Sequence, residues 1–219
     1  MEEHKPLPIL NAKEARVLGV LLEKAKTTPE YYPLTLNALQ TACNQKTSRR
    51  PVVQYDESTV IVALDSLRKL GLVSTVVGGG SRAVKYKHNL AIQYPLLPQE
   101  LAIICLLLLR GPLTPGEINS NSGRLYDFES IDEVAQLLNK LENTEPAFVQ
   151  IAPKRAGQKE IRYIQLLTEF NEAEYESEQP TTRSGSNEQI EALTDRVTQL
   201  EEQLEKLQSA FDKLMTELT

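Results

Sequence analysis

No stretch of this 219-residue chain stays apolar for longer than Leu101 to Leu109, well short of the roughly 20 residues that a helix needs to cross a bilayer. The run reads as a buried helix, and no membrane partner is expected. The N-terminus, Met1-Glu2-Glu3-His4-Lys5-Pro6, lacks a cationic segment leading into an apolar one. A secretion signal is therefore not expected, and the cytoplasm is the expected location. Cysteine and histidine are scarce. Cys43, Cys105, His4 and His88 never come together at a metal-ligand spacing, so no metal is expected. Both cysteines fall in apolar helical patterns, where a thiol serves as a small hydrophobe rather than as half of a disulfide.

Catalytic constellations are missing as well. The chain has no Ser/His/Asp or Cys/His arrangement, no H-E-x-x-H helix and no phosphate-binding glycine loop. Gly78-Gly79-Gly80 is followed by a strand pattern instead of Gly-Lys-Ser/Thr, which makes it a hairpin turn. The paired carboxylates Asp56/Glu57 and Asp132/Glu133 stand at helix starts, where the dipole and the unsatisfied amides favour negative charge. The expectation is a non-enzyme with no cofactor and no evident small-molecule ligand.

What the sequence does have is an uneven distribution of charge. The net charge is −6. Residues 1–97 carry 13 Lys/Arg against 8 Asp/Glu, or +5; residues 98–169 carry 7 against 10, or −3; residues 170–219 carry 4 against 12, or −8. Between Asp65 and Glu100 there is no acidic residue, while Arg68, Lys69, Arg82, Lys85 and Lys87 all fall there. A polyanion would be drawn to the first part and repelled by the last.

The local patterns give an order of elements. Asn11 with Glu14 starts a helix through Ala15, Leu18, Leu21 and Leu22, and Thr35 caps a short helix ending near Asn44. Asp56 starts a third helix along Val60, Ala63, Leu64, Leu67 and Leu70, closed by Gly71. Leu72 to Val77 and Arg82 to His88 then form a hairpin. Three helices and a hairpin make a winged helix. The same order returns in Leu101 to Leu109, the capping box Thr114-Pro115-Gly116-Glu117, the box Ser130 to Glu133 with Val134, Leu138 and Leu141, and the strands Ala147 to Ile151 and Ile161 to Leu166. Glu14, Leu18 and Leu22 match Glu100, Ile104 and Leu108; Tyr86 matches Tyr163. A duplicated fold is the economical reading.

The expected fold class is thus mainly α with small β-hairpins (α+β): two tandem winged-helix domains, 1–97 and 98–169, then an acidic disordered linker, 170–187. The last segment, 188–219, is a coiled coil. Ile190, Val197, Leu204, Phe211 and Leu218 share one heptad position, and Leu193, Leu200, Leu207 and Leu214 the other, so self-association through these residues is expected.

Three segments, Glu14-Ala15-Arg16-Val17-Leu18-Gly19-Val20-Leu21-Leu22-Glu23-Lys24, Thr27-Thr28-Pro29-Glu30-Tyr31-Tyr32-Pro33-Leu34-Thr35-Leu36-Asn37 and Ala42-Cys43-Asn44-Gln45-Lys46, resemble the YceH-like family of bacterial proteins. Leu108-Leu109-Arg110-Gly111-Pro112 and Thr114-Pro115-Gly116-Glu117 look like the family's second half, so the resemblance covers about residues 10–169. It implies tandem winged helices and no particular activity. Where the family pattern has an acidic residue before Pro51, this chain has Arg50. The tail is expected to lie outside the shared region.

Two functions fit this architecture. In the first, a regulator of the helix-turn-helix kind, the helix from Asp56 to Leu70 enters the major groove, and Lys46, Arg49, Arg50, Lys69, Arg82, Lys85 and Lys87 meet phosphates. In the alternative, the paired domains form a scaffold for proteins, similar to the condensin-associated segregation protein. The acidic residues Glu129, Asp132, Glu133 and Glu142 around the second domain's third helix favour that alternative for the second half. The reading adopted is DNA binding by the first domain.

Overall fold

The structure, a computed structural model, describes residues 5–77, 83–155, 158 and 160–177. The coiled-coil positions from Ile190 to Leu218, the linker beyond residue 177 and Arg82 at the wing tip lie outside the described residues.

The element order is α1 (Ala12–Thr27), a 3-10 turn (Pro29–Tyr31), β1 (Leu34–Thr35), α2 (Leu36–Cys43), α3 (Glu57–Lys69), β2 (Val73–Val77) and β3 (Val84–His88). It continues with α4 (Leu90–Gln93), α5 (Pro98–Arg110), α6 (Pro115–Ser122), α7 (Ile131–Asn143), β4 (Val149–Ile151), β5 (Tyr163–Gln165) and α8 (Glu172–Ser177). The class is α+β. β1, β3 and β2 form one antiparallel sheet in that order, and β4 pairs with β5 in another.

The helices start where side chains meet their open amides. Asn11 Oδ1 accepts from the Glu14 N–H at 3.1 Å while Glu14 Oε2 accepts from the Asn11 N–H at 2.8 Å, and Thr114 and Glu117 repeat the box on α6. The α7 start differs from the expected box. Ser130 Oγ accepts from the Glu133 N–H at 3.1 Å, but Glu133 reaches the Glu129 N–H, one residue before the cap. At the far end of α3, Gly71 takes φ +75°. The Leu72 N–H then donates to Leu67 O and the Gly71 N–H to Arg68 O, a Schellman closure that only a residue at ease with positive φ permits. This closure holds Leu72, so β2 begins at Val73.

Several local features recur in the two halves. The Leu97 N–H donates to Glu100 Oε2 at 2.7 Å, as Asn11 does to Glu14. Leu34 stands opposite Tyr86 in β1/β3, and Leu113 stands opposite Tyr163 as an isolated bridge; each is followed by a capping threonine, Thr35 or Thr114.

The segments 1–97 and 98–169 do not form separate cores, because Met1–Glu172 packs as one unit around a contiguous apolar interior. α1 lies against α5. Gly19 and Cys105 are equivalent positions in the two repeats, and the Cys105 thiol donates to Gly19 O at 3.4 Å. Equivalent positions touching each other is the geometry of an isologous contact, here within one chain. The Leu10 N–H to Leu167 O bond and the Arg50 N–H to Leu109 O bond tie the repeats at two further places. Both cysteines are free and buried; burial pushes the Cys43 thiol up to about 12 and the Cys105 thiol up as well.

The expected linker is helical at its beginning, where α8 occupies Glu172–Ser177. Glutamate and alanine are good helix formers, and acidic composition alone does not exclude a helix. Among the described residues, no helix is long and apolar enough to cross a membrane.

Candidate nucleic-acid interface

The first repeat presents two surfaces a polyanion could meet, the outer face of α3 and the outer face of its hairpin. Asp56 caps α3 by accepting from the Thr59 N–H at 2.8 Å, and the Ser58 hydroxyl adds a bond at 3.0 Å. The hydrogen bonds from Thr59 hold its carboxyl below the ordinary value, with Ser58 adding to the effect. That anionic end is the one that would approach base edges. Farther along, α3 exposes Ile61, Val62, Asp65, Arg68 and Lys69. Val62 is 70 % exposed and Ile61 39 %. Arg68 pairs with Asp65 at 3.2 Å.

Register divides the hairpin. Ser74 faces Lys87 and Val76 faces Lys85, with Thr35 on the other side of Lys85. These residues therefore share one face. Leu34, Val73, Tyr86 and His88 share the opposite face; Leu34 and Val73 are buried and Tyr86 packs on the core. Both lysines thus stand on the outer side, partly covered along their stems. Val84 lies on the same face as Tyr86, yet it is 43 % exposed, opposite Val77, which is 75 % exposed. A shallow cleft between the end of α3 and β2 puts Arg68 and Lys69 next to Ser74, whose cross-strand neighbour is Lys87. Lys69, Lys85 and Lys87 therefore belong to adjoining surface.

Arg49 corrects the expected phosphate set. Its guanidinium is buried, with Nη1 and Nη2 on the two oxygens of Glu23 at 2.9 and 2.6 Å and further bonds to Ala42 O, Ser48 O and Gln45 Oε1. A guanidinium fixed this way has no face left for a phosphate, so Arg49 is a structural residue. Arg16 assists it from α1, donating to Cys43 O at 3.3 Å and to Pro51 O at 2.6 Å. The two arginines hold the loop from Gln45 to Pro51 against α1. Lys46 and Arg50 remain on its exposed side. No sequence signal distinguishes Arg49 from Arg50; only the approach of Glu23 from α1 does so.

In the second repeat two basic side chains, Arg162 and Lys140, are engaged internally. Arg162 makes a two-pronged pair with Glu117 at 2.7 and 2.8 Å, and Lys140 reaches the buried Glu100 at 2.7 Å.

A family model described as "Protein of unknown function, DUF480" matches residues 10–158. The chain belongs to this family. The match fits the YceH-like resemblance of its motifs. Among individual relatives, a UPF0502 protein of Shewanella sp. (strain MR-7) is 46 % identical over 224 residues, spanning 96 % of this chain and 99 % of its own length. One from Shewanella halifaxensis is 45 % identical over 211 residues, spanning 94 % of this chain and 98 % of its own. One from Shewanella baltica (strain OS223) is 48 % identical over 179 residues, 80 % of each chain. The family model ends before the tail, but the alignments spanning 94–96 % of the chain continue into 188–219. The expectation that the tail lies outside the shared region is corrected for those relatives.

Proposed function

We propose that this DUF480 chain is a DNA-binding protein that grips the phosphate backbone of a duplex through the first repeat, whose element order is that of a winged helix. The observation that carries this reading is the outer face of the hairpin, where Lys85 and Lys87 point the same way beside Lys69 at the end of α3. Phosphate contacts position a protein on DNA without reading its sequence. The exposed residues of α3 include no arginine or asparagine free to fork onto a base, since Arg68 is paired with Asp65, so recognition by backbone and shape is the form proposed.

Each phosphate neutralised on B-DNA contributes roughly 0.9 to the slope of log affinity against log salt. Exchanging Lys85 and Lys87 for Glu should lower that slope by about two in a salt-titrated duplex-binding assay. The second repeat, with Lys154→Glu, should bind as the parent does. Unchanged affinity and slope in the Lys85/Lys87 variant would overturn the DNA reading. The exposed pair Ile61 and Val62 specifically favours the alternative, a protein scaffold docking through α3, and that reading would then take its place.

A further inference from the structure

Where the two repeats meet, the last turns of α1 and α5, the loop after α2 and the chain after α6 line a partly open cavity of about 480 Å³. Four cationic side chains line it: Lys24, Lys46, Arg110 and Arg124. They occupy corresponding places in the repeat. Lys24 and Arg110 are separated by 86 residues, as the capping glutamates Glu14 and Glu100 are, while Lys46 and Arg124 follow the equivalent helices α2 and α6. The cavity is therefore lined by corresponding segments of the two halves, with one helical and one loop cation from each.

The lining holds a single carboxylate, Glu23, and it is already bound by Arg49 at 2.6 Å and Lys24 at 3.3 Å. Arg110 donates to Ser48 Oγ at 2.8 Å, which aims its guanidinium along the cavity wall, and burial lowers its pKa. Lys46 and Arg124 have no ion pair among the described residues. Cations near helix C-termini also answer the helix dipole, and this accounts for Lys24 and Arg110. It does not account for Lys46 and Arg124, which stand in loops beyond their helices. Leu106, Leu109 and Leu125 supply the apolar part of the lining.

We propose that this cavity binds a small organic diphosphate, its phosphoryl groups held among the four cations and its organic part lying on the leucines. Ligand cavities of this kind run from roughly 300 to 1,000 Å³ with apolar walls and a few convergent polar groups. Arginine's planar fork suits phosphate oxygens, and lysine adds a point charge. The site is distinct from the hairpin surface and does not depend on it.

Calorimetric titration of the full-length chain at constant ionic strength, with ADP, pyrophosphate and adenosine as probes, tests the proposal. Saturable one-to-one binding of ADP is expected, with a Kd below about 1 mM, and pyrophosphate should compete for it. Lys46→Gln with Arg124→Gln should weaken ADP at least about tenfold, the loss of about one charge-assisted bond. Both residues are exposed, so the melting temperature should be kept; Lys46→Gln alone, expected to weaken binding by up to about fivefold, serves if the double variant melts early. Lys85→Glu with Lys87→Glu should leave ADP binding unchanged, which separates this site from the DNA surface. The proposal is overturned by lack of saturation with ADP, by adenosine binding as well as ADP, or by ADP affinity that survives the cavity variants. It also fails if the hairpin variants reduce that affinity equally.

Discussion

The Arg49 guanidinium keeps no exposed side-chain surface, and its partner Glu23 is only 14 % exposed. Removing one member of a buried pair typically costs about 3–5 kcal/mol, and because Lys24 still stands 3.3 Å from Glu23 the loss belongs at the lower end of that range. Arg49→Ala should lose stability on that scale in urea unfolding, whereas Lys85→Ala should change it by less than about 0.5 kcal/mol. A loss under about 1 kcal/mol for Arg49→Ala would mean that the pair contributes little. His88 gives a second prediction. Burial, with Lys26 adding repulsion, pushes its imidazole down to about 4 from an ordinary 6.5. As pH falls from 6.5 the unfolded chain takes up the proton first, so stability declines until the folded state is protonated near 4 and then levels off for this group. The whole span is worth up to about 3 kcal/mol. Burial would raise the Glu23 carboxyl, but Arg49 outweighs it and the net shift is downward, so its contribution is complete above the usual carboxylate range and is lost as pH falls through that range toward the folded value. His88→Val should therefore flatten the stability profile between pH 6.5 and 5 and leave the steeper fall below it. An unchanged profile in that window would show that His88 does not control it.

At the scale of elements, the α1–α5 contact depends on Gly19 having no side chain. A Cβ there would come within 2.9 Å of Leu109 and 3.2 Å of Leu108, both buried. Overpacking of this kind costs about 1–3 kcal/mol, so Gly19→Ala should lower the melting temperature even though alanine is the better helix former. A rise in melting temperature would mean that the two helices can separate slightly without cost. Nothing in the sequence marks Gly19, since glycine inside an amphipathic helix records only an absence and the helix it accommodates is 86 residues away. The caps behave differently. Asn11 with Glu14, and Thr114 with Glu117, close on residues three apart, so their geometry is legible as spacing. The alternation of Lys85 and Lys87 against Tyr86 is legible for the same reason, because a strand's period is local. β1 has only two residues and no period to detect; its pairing of Leu34 with Tyr86 exists through tertiary contact alone. The candidate surface divides along the same line. The hairpin lysines could be read from alternation, whereas the burial of Arg49 and the convergence of Lys24 with Arg110 depend on packing between distant segments.

For the whole molecule, the association state of the tail decides, on the proposed DNA reading, how many basic surfaces a duplex would meet. Its heptads run from Ile190 to Leu218, with leucine at every second-type core position and Val197 at a first-type one, a pattern suited to two parallel strands. A dimer would present two hairpins on one ligand, and the salt slope of binding counts phosphates contacted by the assembly, not by the protomer. Ending the chain after Glu172 leaves the Met1–Glu172 unit whole, including the Leu10–Thr168 bridge between its two ends. The full-length chain should sediment as a dimer and the shortened one as a monomer. If Lys69, Lys85 and Lys87 are each matched to one phosphate, the shortened chain should show a slope of about 2.7 and the full-length chain about twice that. The tail also carries a net charge of −8 from residue 170 onward, a charge that on the proposed reading would oppose a duplex most where screening is least. Removal of the tail should halve the slope, so the shortened chain falls further behind the full-length chain as salt is lowered. Parallel curves of equal slope, or a shortened chain that still sediments as a dimer, would locate the association outside the heptads.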